Sequence, residues 1–339
     1  MRFSASLIAA VSVTLLGINS AEGYGILGHT LTGQIAQRHL TPETARQVKE
    51  ILSPYYDGLL SKAAPWADTI KGQAKYRWAS VYHYVNTPGD DPPNICKVEY
   101  VPDGADVVNG ILKMTAKLLQ FKVVEPTTPE EKGDREDALK FFIHFLGDVH
   151  QPLHASGKDR GGNNARAKWG RAGTSLHRIW DGQLILKDIK DKYNNDPKAY
   201  LEEMIGRTKT VWKDQAANWT VCDPSKRIEN NPTTDALTTL CPLEWATFMN
   251  QLDCTYVWKD YDSSRDYSLD FFDTVTGEKS EFLVQKLMTM SGIRMAAILN
   301  EIYDPPTPLS EGRRYLIERI IRKDETMRDS RNTRFVKQG

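Results

Sequence analysis

The sequence lacks a net charge and contains few cysteines. Its 339 residues include 44 Lys and Arg, 44 Asp and Glu, and four Cys. A protein of this composition has no basic excess with which to attract a polyanion. If it binds phosphate, it needs another source of positive charge, such as bound metal ions. The balance is uneven along the chain, because residues 305–339 carry nine Lys and Arg against five Asp and Glu.

Long apolar runs are also scarce, and the only prominent one lies at the N-terminus. Met1 and Arg2 precede an apolar run over 7–16, which is shorter than the ~18 residues of a bilayer-spanning helix. A buried helix or an interfacial anchor is the alternative, but the pattern favours a signal peptide over 1–23, with Tyr24 as the first mature residue. We therefore expect a secreted, monomeric protein without a transmembrane segment.

The four cysteines are even in number, and in a secreted chain they predict two disulfides. No C-x-x-C spacing is present, which disfavours a cysteine zinc site. Three pairings are possible, and closure of the short loop by Cys222 with Cys241 leaves Cys96 with Cys254. Asn218-Trp219-Thr220 is a predicted glycosylation sequon.

Strand-like alternation is rare, whereas apolar residues recur at helical spacing through most of the chain. This pattern predicts an all-α protein with one compact domain over 24–304. Asp304-Pro305-Pro306 ends the last core helix, and 305–339 form a basic extension, either an amphipathic helix or a solvated tail. The predicted helices begin near Thr41 and span Val107–Leu119, Ala138–Leu146, Leu176–Leu186, Tyr200–Trp212 and Phe282–Ile302.

Histidine is absent from the last 162 residues, and all seven histidines lie between His29 and His177. His144 and Asp148 have an i, i+4 spacing that places both on one helix face, where they could bind one metal ion. Pro152 should end or kink that helix and so allow His154 to turn inward. His177 and Asp181 repeat the spacing. One such pair is commonly a surface ion pair, but two pairs beside His154 predict a metal site.

Three further motifs complete a recognisable order: Tyr24-x-x-x-Gly28-His29, Trp66-Ala67-Asp68 and His83-Tyr84. They are followed by His144-Phe-Leu-Gly-Asp148, Gln151-Pro-Leu-His154 and Leu176-His-Arg-Ile-Trp-Asp181. In this order the chain resembles the secreted zinc-dependent nuclease/3′-nucleotidase family (class I nucleases of the S-one/P-one type). The resemblance runs from Tyr24 to about Ile302 and implies the helical fold that this family shares with zinc-dependent phospholipase C.

The resemblance implies three zinc ions. Asp68, His83 and His144 would bind the first, and His29 would bind the second with the α-amino nitrogen and carbonyl oxygen of Tyr24. Asp148 would bridge these two ions. The third would take His154, His177 and Asp181. The implied reaction is hydrolysis of RNA and single-stranded DNA at the P–O3′ bond, with release of 5′-phosphates, and 3′-nucleotidase activity is a further expectation.

The resemblance also implies substrate contacts. Lys71 would act with Asp68 and Asp148 in catalysis by neutralising charge on the phosphorus centre. The alternative is that Lys71 is an ordinary surface lysine. Tyr84 would stack on a base, or it packs in the core. The loop with Gly161, Gly162 and Asn163 would line the base pocket, where Asn86 replaces an Asp of many members. His150 is a candidate for contacting a metal ligand without binding metal itself, and His39 has no assigned role. Trp66 and Trp180 should pack beside the ligands and shield the site.

Two rival functions remain at this stage. A zinc-dependent phospholipase C would use a similar set of three zinc ions. The residues of the motifs and the position of Tyr84 favour the nuclease. A non-catalytic zinc-binding protein or effector would require lost ligands, yet all nine ligand positions are filled.

Overall fold

The computed structural model describes residues 25–306 and 311–322, and the predicted signal peptide and Tyr24 lie outside them. Helices α1–α14 span Gly25–His39, Pro42–Ile51, Leu60–Ala63, Trp66–Ile70, Val107–Val123, Pro129–Asp148, Leu176–Arg178, Leu184–Lys192, Pro197–Arg207, Lys213–Ala216, Pro232–Ala236, Pro242–Leu252, Asp270–Thr276 and Leu283–Tyr303. Helix α15 spans 311–322. Strands β1 (Arg166–Trp169) and β2 (Ala172–Ser175) form an antiparallel hairpin. The all-α prediction is confirmed, although it missed this hairpin.

Side-chain caps fix where several helices begin. The hydroxyl of Thr41 accepts from the Thr44 amide at 3.2 Å, with Pro42 as the first helical residue of α2. Asp106 caps α5 in the same way. Helix α6 starts with a capping box, in which Thr128 and Glu131 each accept from the other's backbone amide. These local signals satisfy backbone donors that a helix leaves unpaired.

Helix α14 lies at the centre of the core, where 17 of its residues are buried, and it packs against α1, α5 and α6. Helices α1 and α14 approach closely because Gly292 faces Ile35; a Cβ at position 292 would lie 2.6 Å from the Cβ of Ile35. Helix α6 is buried from Ala138 to Asp148. This burial places His144 and Asp148 inside the molecule rather than on its surface.

Both disulfides are present with the predicted pairing, Cys96 with Cys254 and Cys222 with Cys241. The first joins the loop after His83 to the π-helical segment Asp253–Val257 that follows α12, across 158 residues of sequence. The second closes a 19-residue separation.

Two predicted helices have different limits in the structure. The helix predicted for Tyr200–Trp212 ends at Arg207, because Trp212 turns away to donate its indole N–H to the Glu281 carbonyl at 2.8 Å. The segment predicted as one helix over Leu176–Leu186 extends to Lys192 but contains a π-helical stretch, Ile179–Gln183, between α7 and α8.

The basic extension contains a docked helix. In α15, Ile317 and Ile320 are buried, with 1% and 6% of their surface exposed. Arg313 binds the Glu301 carboxylate at 2.5 Å and the Ala236 carbonyl. Of the two alternatives for the tail, residues 311–322 therefore form the amphipathic helix. Within the described ranges, no helix is long and apolar enough to cross a membrane.

Candidate metal centre

The eight predicted ligand side chains inside the described residues come together. His29 lies on α1, Asp68 on α4 and His83 just after the 3₁₀ segment Ala74–Tyr82. His144 and Asp148 share one face of α6. Pro152 begins a 3₁₀ segment after α6 that carries His154, as the sequence predicted. His177 and Asp181 follow on α7 and the π-helical stretch.

Asp148 lies between two groups of imidazoles. Its Oδ2 is 2.9 Å from His83 Nδ1 and 3.3 Å from His144 Nε2, whereas its Oδ1 is 3.3 Å from His29 Nε2. Asp68 Oδ1 lies 3.6 Å from His144 Nε2 and 3.9 Å from His83 Nδ1. A carboxylate whose two oxygens face different imidazoles is arranged to bridge two cations.

The donor atoms form three groups that could each hold a metal ion, with all atoms of a group within 4.8 Å of one another. The groups are His29 with Asp68 and His144, His83 with His144 and Asp148, and His154 with His177 and Asp181. The third group has the membership that the resemblance implies. The first two share His144, and His29 lies near Asp68 as well as Asp148.

Tyr24 lies outside the described residues, so its predicted role stays a prediction. Gly25, its neighbour, begins α1 with a positive φ of 43°. A Cβ on Gly25 would lie 3.4 Å from the Asp181 carbonyl oxygen. The described chain therefore begins beside the ligand cluster.

Backbone carbonyls orient three of the imidazoles. The Nδ1–H groups of His144, His154 and His177 donate to the carbonyls of Ala64, His83 and Gly161 at 2.7, 2.7 and 2.6 Å. Each bond holds a proton on Nδ1 and turns Nε2 toward the cluster, which is the nitrogen that would bind a metal.

The site has buried polar atoms without partners, and these fit bound cations. All eight side chains are buried, with at most 8% exposed. Buried polar groups are ordinarily paired. Within the described chain, the ligand atoms without a hydrogen-bond partner are His29 Nδ1 and Nε2, Asp68 Oδ2, His83 Nε2, Asp148 Oδ1, His154 Nε2 and Asp181 Oδ2.

Burial and neighbouring charges shift the pKa values of the cluster in opposite directions. Burial lowers the pKa of His177 to about 3 and raises the pKa of Asp181 well above its usual range. Burial would also lower the pKa of His144, but the carboxylates of Asp148 and Asp68 outweigh it and raise this pKa to about 9. The third group therefore favours neutral imidazole, which is the metal-binding form.

A cleft of about 180 Å³ opens onto the clusters and is lined by Asp68, His83, His154 and His177. Every predicted substrate residue except Gly162 lines it with them: Lys71, Tyr84, Asn86 and Asn163. Lys71 Nζ is 3.7 Å from Asp68 Oδ1, and Tyr84 is 39% exposed. Tyr84 is therefore not a core residue. Gly162 is buried against Leu153 and supports the wall of the cleft from behind.

The remaining candidates have structural contacts. His150 donates to the Leu146 carbonyl and accepts from Arg294 at 2.9 Å. His39 bonds its own helix through the Ile35 carbonyl. Trp66 packs edge-on against Tyr76 and Phe141, and the buried Trp180 packs against Phe271.

Two residues of the site were missed from the sequence. Gln151 donates to Asp181 Oδ1 at 2.7 Å and so positions a ligand of the third group; it stands in a motif in which only His154 received a role. Arg160 lines the cleft beside Tyr84. Its position directly before Gly161 and Gly162 was the available signal.

Comparison with known proteins agrees with this geometry. The model of the S1/P1 nuclease family matches residues 24–304. The chain belongs to this family. Endonuclease 1 of Arabidopsis thaliana is 30% identical over 313 residues, covering 89% of this chain and 94% of the relative. Endonuclease 2 of the same plant is also 30% identical, over 83% of this chain and 91% of the relative. Nuclease S1 of Aspergillus oryzae is 28% identical, over 89% of this chain and 99% of the relative.

Membership in the S1/P1 family accounts for the three His/Asp clusters, since these nucleases are metalloenzymes. It favours a nuclease over the phospholipase C alternative.

Proposed function

We propose that this S1/P1 family member is a secreted, zinc-dependent nuclease that hydrolyses RNA and single-stranded DNA at the P–O3′ bond and releases 5′-phosphates. The observation that carries the proposal is the cleft in which Tyr84 and Lys71 lie beside three His/Asp clusters with unpartnered buried atoms. Activity on 3′-nucleotides is part of the proposal, because the same cleft would bind a terminal phosphate.

Zinc is the proposed ion because every described ligand is an imidazole nitrogen or a carboxylate oxygen. Two ions would be held by Asp68, His83, His144, Asp148 and His29, and Tyr24 would complete the ligands of the second ion. The third ion would be held by His154, His177 and Asp181. Zinc in such sites lowers the pKa of water and stabilises negative charge on phosphoryl oxygens.

The residues around the clusters supply positioning and charge. The ammonium of Lys71 would lie near the substrate phosphate and stabilise charge that grows as the water oxygen attacks phosphorus. The P–O3′ bond then breaks, the 5′-phosphate keeps the water oxygen, and the leaving O3′ takes up a proton that the attacking water loses. The carbonyl of Gly161 keeps the proton of His177 on Nδ1, so this imidazole stays a ligand rather than a base.

Tyr84 explains the proposed preference for single strands. Its exposed ring would stack on a base, which requires the base to leave a duplex, and stacking accepts every base. The Tyr84→Ala variant should raise KM for single-stranded DNA, by about ten-fold. Tyr55→Ala is the matched control, because Tyr55 is 81% exposed and does not line the cleft.

The decisive experiment measures hydrolysis of single-stranded and double-stranded DNA by the mature protein, with and without EDTA. We expect single-strand-preferring activity that EDTA removes and that Asp148→Asn lowers at least about hundred-fold. Asp191→Asn, on the exposed face of α8, should retain activity. A zinc-loaded protein that cleaves neither substrate would refute the proposal, and a choline-ester assay then tests the phospholipase alternative.

Secretion and glycosylation are also proposed. Asn218 is exposed after α10, as a glycan acceptor must be. Expression in a eukaryotic secretory host should deliver the protein to the medium with residue 24 at its N-terminus, and an Asn218→Gln variant should lose the mass of one glycan. Retention inside the cell would contradict the proposed signal peptide.

A further inference from the structure

Arg160 presents a guanidinium at the cleft from an unusual backbone segment. Residues 159–162 all have positive φ, between 49° and 74°. Gly161 is required there, because a Cβ would lie 2.4 Å from the Leu153 carbonyl oxygen. The Asn163 side-chain amide donates to the Arg160 carbonyl at 2.9 Å and fastens the segment. The backbone that carries Arg160 is therefore tightly defined.

The Arg160 side chain has no ionic role in the fold. Among the described residues it forms no side-chain hydrogen bond and no salt bridge, although it is exposed beside Tyr84. Its five N–H donors are available to a molecule in the cleft, and their planar arrangement suits two adjacent acceptors.

The two asparagines in the cleft present acceptors. Asn86 satisfies its surroundings when its nitrogen donates to the carbonyls of Ser156 at 2.8 Å and Val85 at 3.3 Å, which uses both amide hydrogens. Its Oδ1 then points away from these two carbonyls. Asn163 likewise spends one amide hydrogen on the Arg160 carbonyl and keeps its Oδ1. The lining of the cleft thus includes two amide side chains and the guanidinium of Arg160.

We propose that Arg160 makes the base pocket prefer guanine. Guanine has two adjacent acceptors, O6 and N7, which Arg binds bidentately, and it carries the N2–H₂ donor that an asparagine oxygen accepts. Adenine has a donor, N6–H₂, next to N7, so it cannot take both guanidinium bonds. The purine ring also covers more of Tyr84 than a pyrimidine does. This inference rests on the proposed nuclease function and adds a base preference to it.

The test uses the zinc-loaded protein and the dinucleotides GpG, ApA, CpC and UpU, in which both bases are the same. We expect kcat/KM for GpG to exceed the other values by about ten- to hundred-fold, as a bidentate contact implies. Arg160→Ala should lower the GpG value to that of ApA and change the other three by less than about three-fold. Arg171→Ala, in the turn of the β-hairpin, is the matched control and should leave all four values unchanged.

A binding measurement separates the two proposals. Titration calorimetry with 5′-GMP and 5′-AMP should show tighter binding of GMP, with the difference lost in Arg160→Ala and partly kept in Arg160→Lys. Equal kcat/KM values for all four dinucleotides would overturn the guanine preference. An equal fall of all four values in Arg160→Ala would also overturn it, and would indicate that Arg160 contacts the phosphate. If no dinucleotide is hydrolysed, the polymer assay described above decides the nuclease function, while GMP and AMP binding still decides the base preference.

Discussion

At the scale of single residues, Gly161 connects its backbone segment to the candidate metal centre. Its carbonyl accepts from His177 Nδ1 at 2.6 Å, and its φ of 62° lies in the left-handed region. A side chain at this position meets the Leu153 carbonyl at 2.4 Å. Because both groups belong to backbone, neither can move aside without shifting a segment that carries a ligand.

Gly161→Ala should therefore displace the loop and weaken the third metal group. We expect metal content to fall by one ion and activity to fall about ten- to hundred-fold, as for other groups that orient a metal ligand. Gly170→Ala is the matched control, since Gly170 has a φ of 60° with open space around it. Gly170→Ala should lower the free energy of unfolding by about 1–2 kcal/mol through backbone strain alone. Equal metal loss in both variants, measured by elemental analysis, would contradict this role.

Asp253 is a second residue with a distinct physical signature. It is fully buried, and the side chain of Ser156 is the hydrogen-bonding group that opposes the rise of its pKa. Burial, and then repulsion from Asp90, raise its pKa well above the usual range. Asp90 is itself bound by the side-chain amide of Asn250 at 3.0 Å. Folded protein thus keeps a proton on Asp253 that the unfolded chain releases.

This difference predicts a pH-dependent stability. A raised folded-state pKa means that the unfolded state binds fewer protons, so the free energy of unfolding falls as pH rises from about 3.9 toward that pKa. Asp253→Asn removes the titration. Its free energy of unfolding should exceed that of the parent by an amount that grows from pH 4 to pH 7. Urea denaturation at several pH values checks this, and parallel curves would count against it.

At the scale of elements, helix α15 attaches the basic extension to the rest of the protein. The apolar side of α15, with Ile317 and Ile320, is buried, and Tyr315 is 57% exposed. Ile317→Ala should lower the free energy of unfolding by about 2–4 kcal/mol, because it removes a buried side chain. Tyr315→Ala is the control and should stay within about 0.5 kcal/mol. Indistinguishable urea midpoints for the two variants would mean that α15 does not stabilise the core.

The elements that the sequence predicted well are those with local signals. The periodicity of α5 and α6, the Thr41–Pro42 start and the stop before Pro152 are all seen. The prediction that His144 and Asp148 face one site required only that their i, i+4 spacing lie on a helix. The errors involve tertiary contacts: the indole of Trp212 bonds Glu281 from a distant segment, and β1 and β2 have only four residues each, too short for a clear alternation.

Asp181 shows how a local irregularity escapes a spacing argument. It lies in the π-helical stretch, and its Oδ2 is 3.1 Å from His177 Nε2. An i, i+4 spacing predicts that these residues share a face, but it does not predict the wider turn between α7 and α8. Such π-helical turns occur frequently at functional sites. The roles of Gln151 and Arg160 were equally hidden, because they depend on contacts with segments about 30 residues away or on the shape of the cleft.

At the scale of the whole molecule, the proposed metal ligands join elements that are far apart in sequence. The eight side chains extend from His29 to Asp181 and come from α1, α4, α6, α7 and the segments between them. Without cations, three carboxylates and five imidazoles are buried at short distances. The ions would therefore stabilise the fold as well as supply chemistry, because they bind the folded state and not the unfolded chain.

Removal of metal should lower the melting temperature. An ion present at 100 times its Kd contributes about 2.7 kcal/mol, and each kcal/mol corresponds to roughly 2–4 °C in a chain of this size. We expect EDTA to lower the Tm by at least about 5 °C, and added zinc to restore it. Asp148→Asn, which lacks the carboxylate proposed to bridge two ions, should respond less, and EDTA saturated with zinc is the control. A Tm that stays the same after chelation would show that metal ions do not hold these segments together.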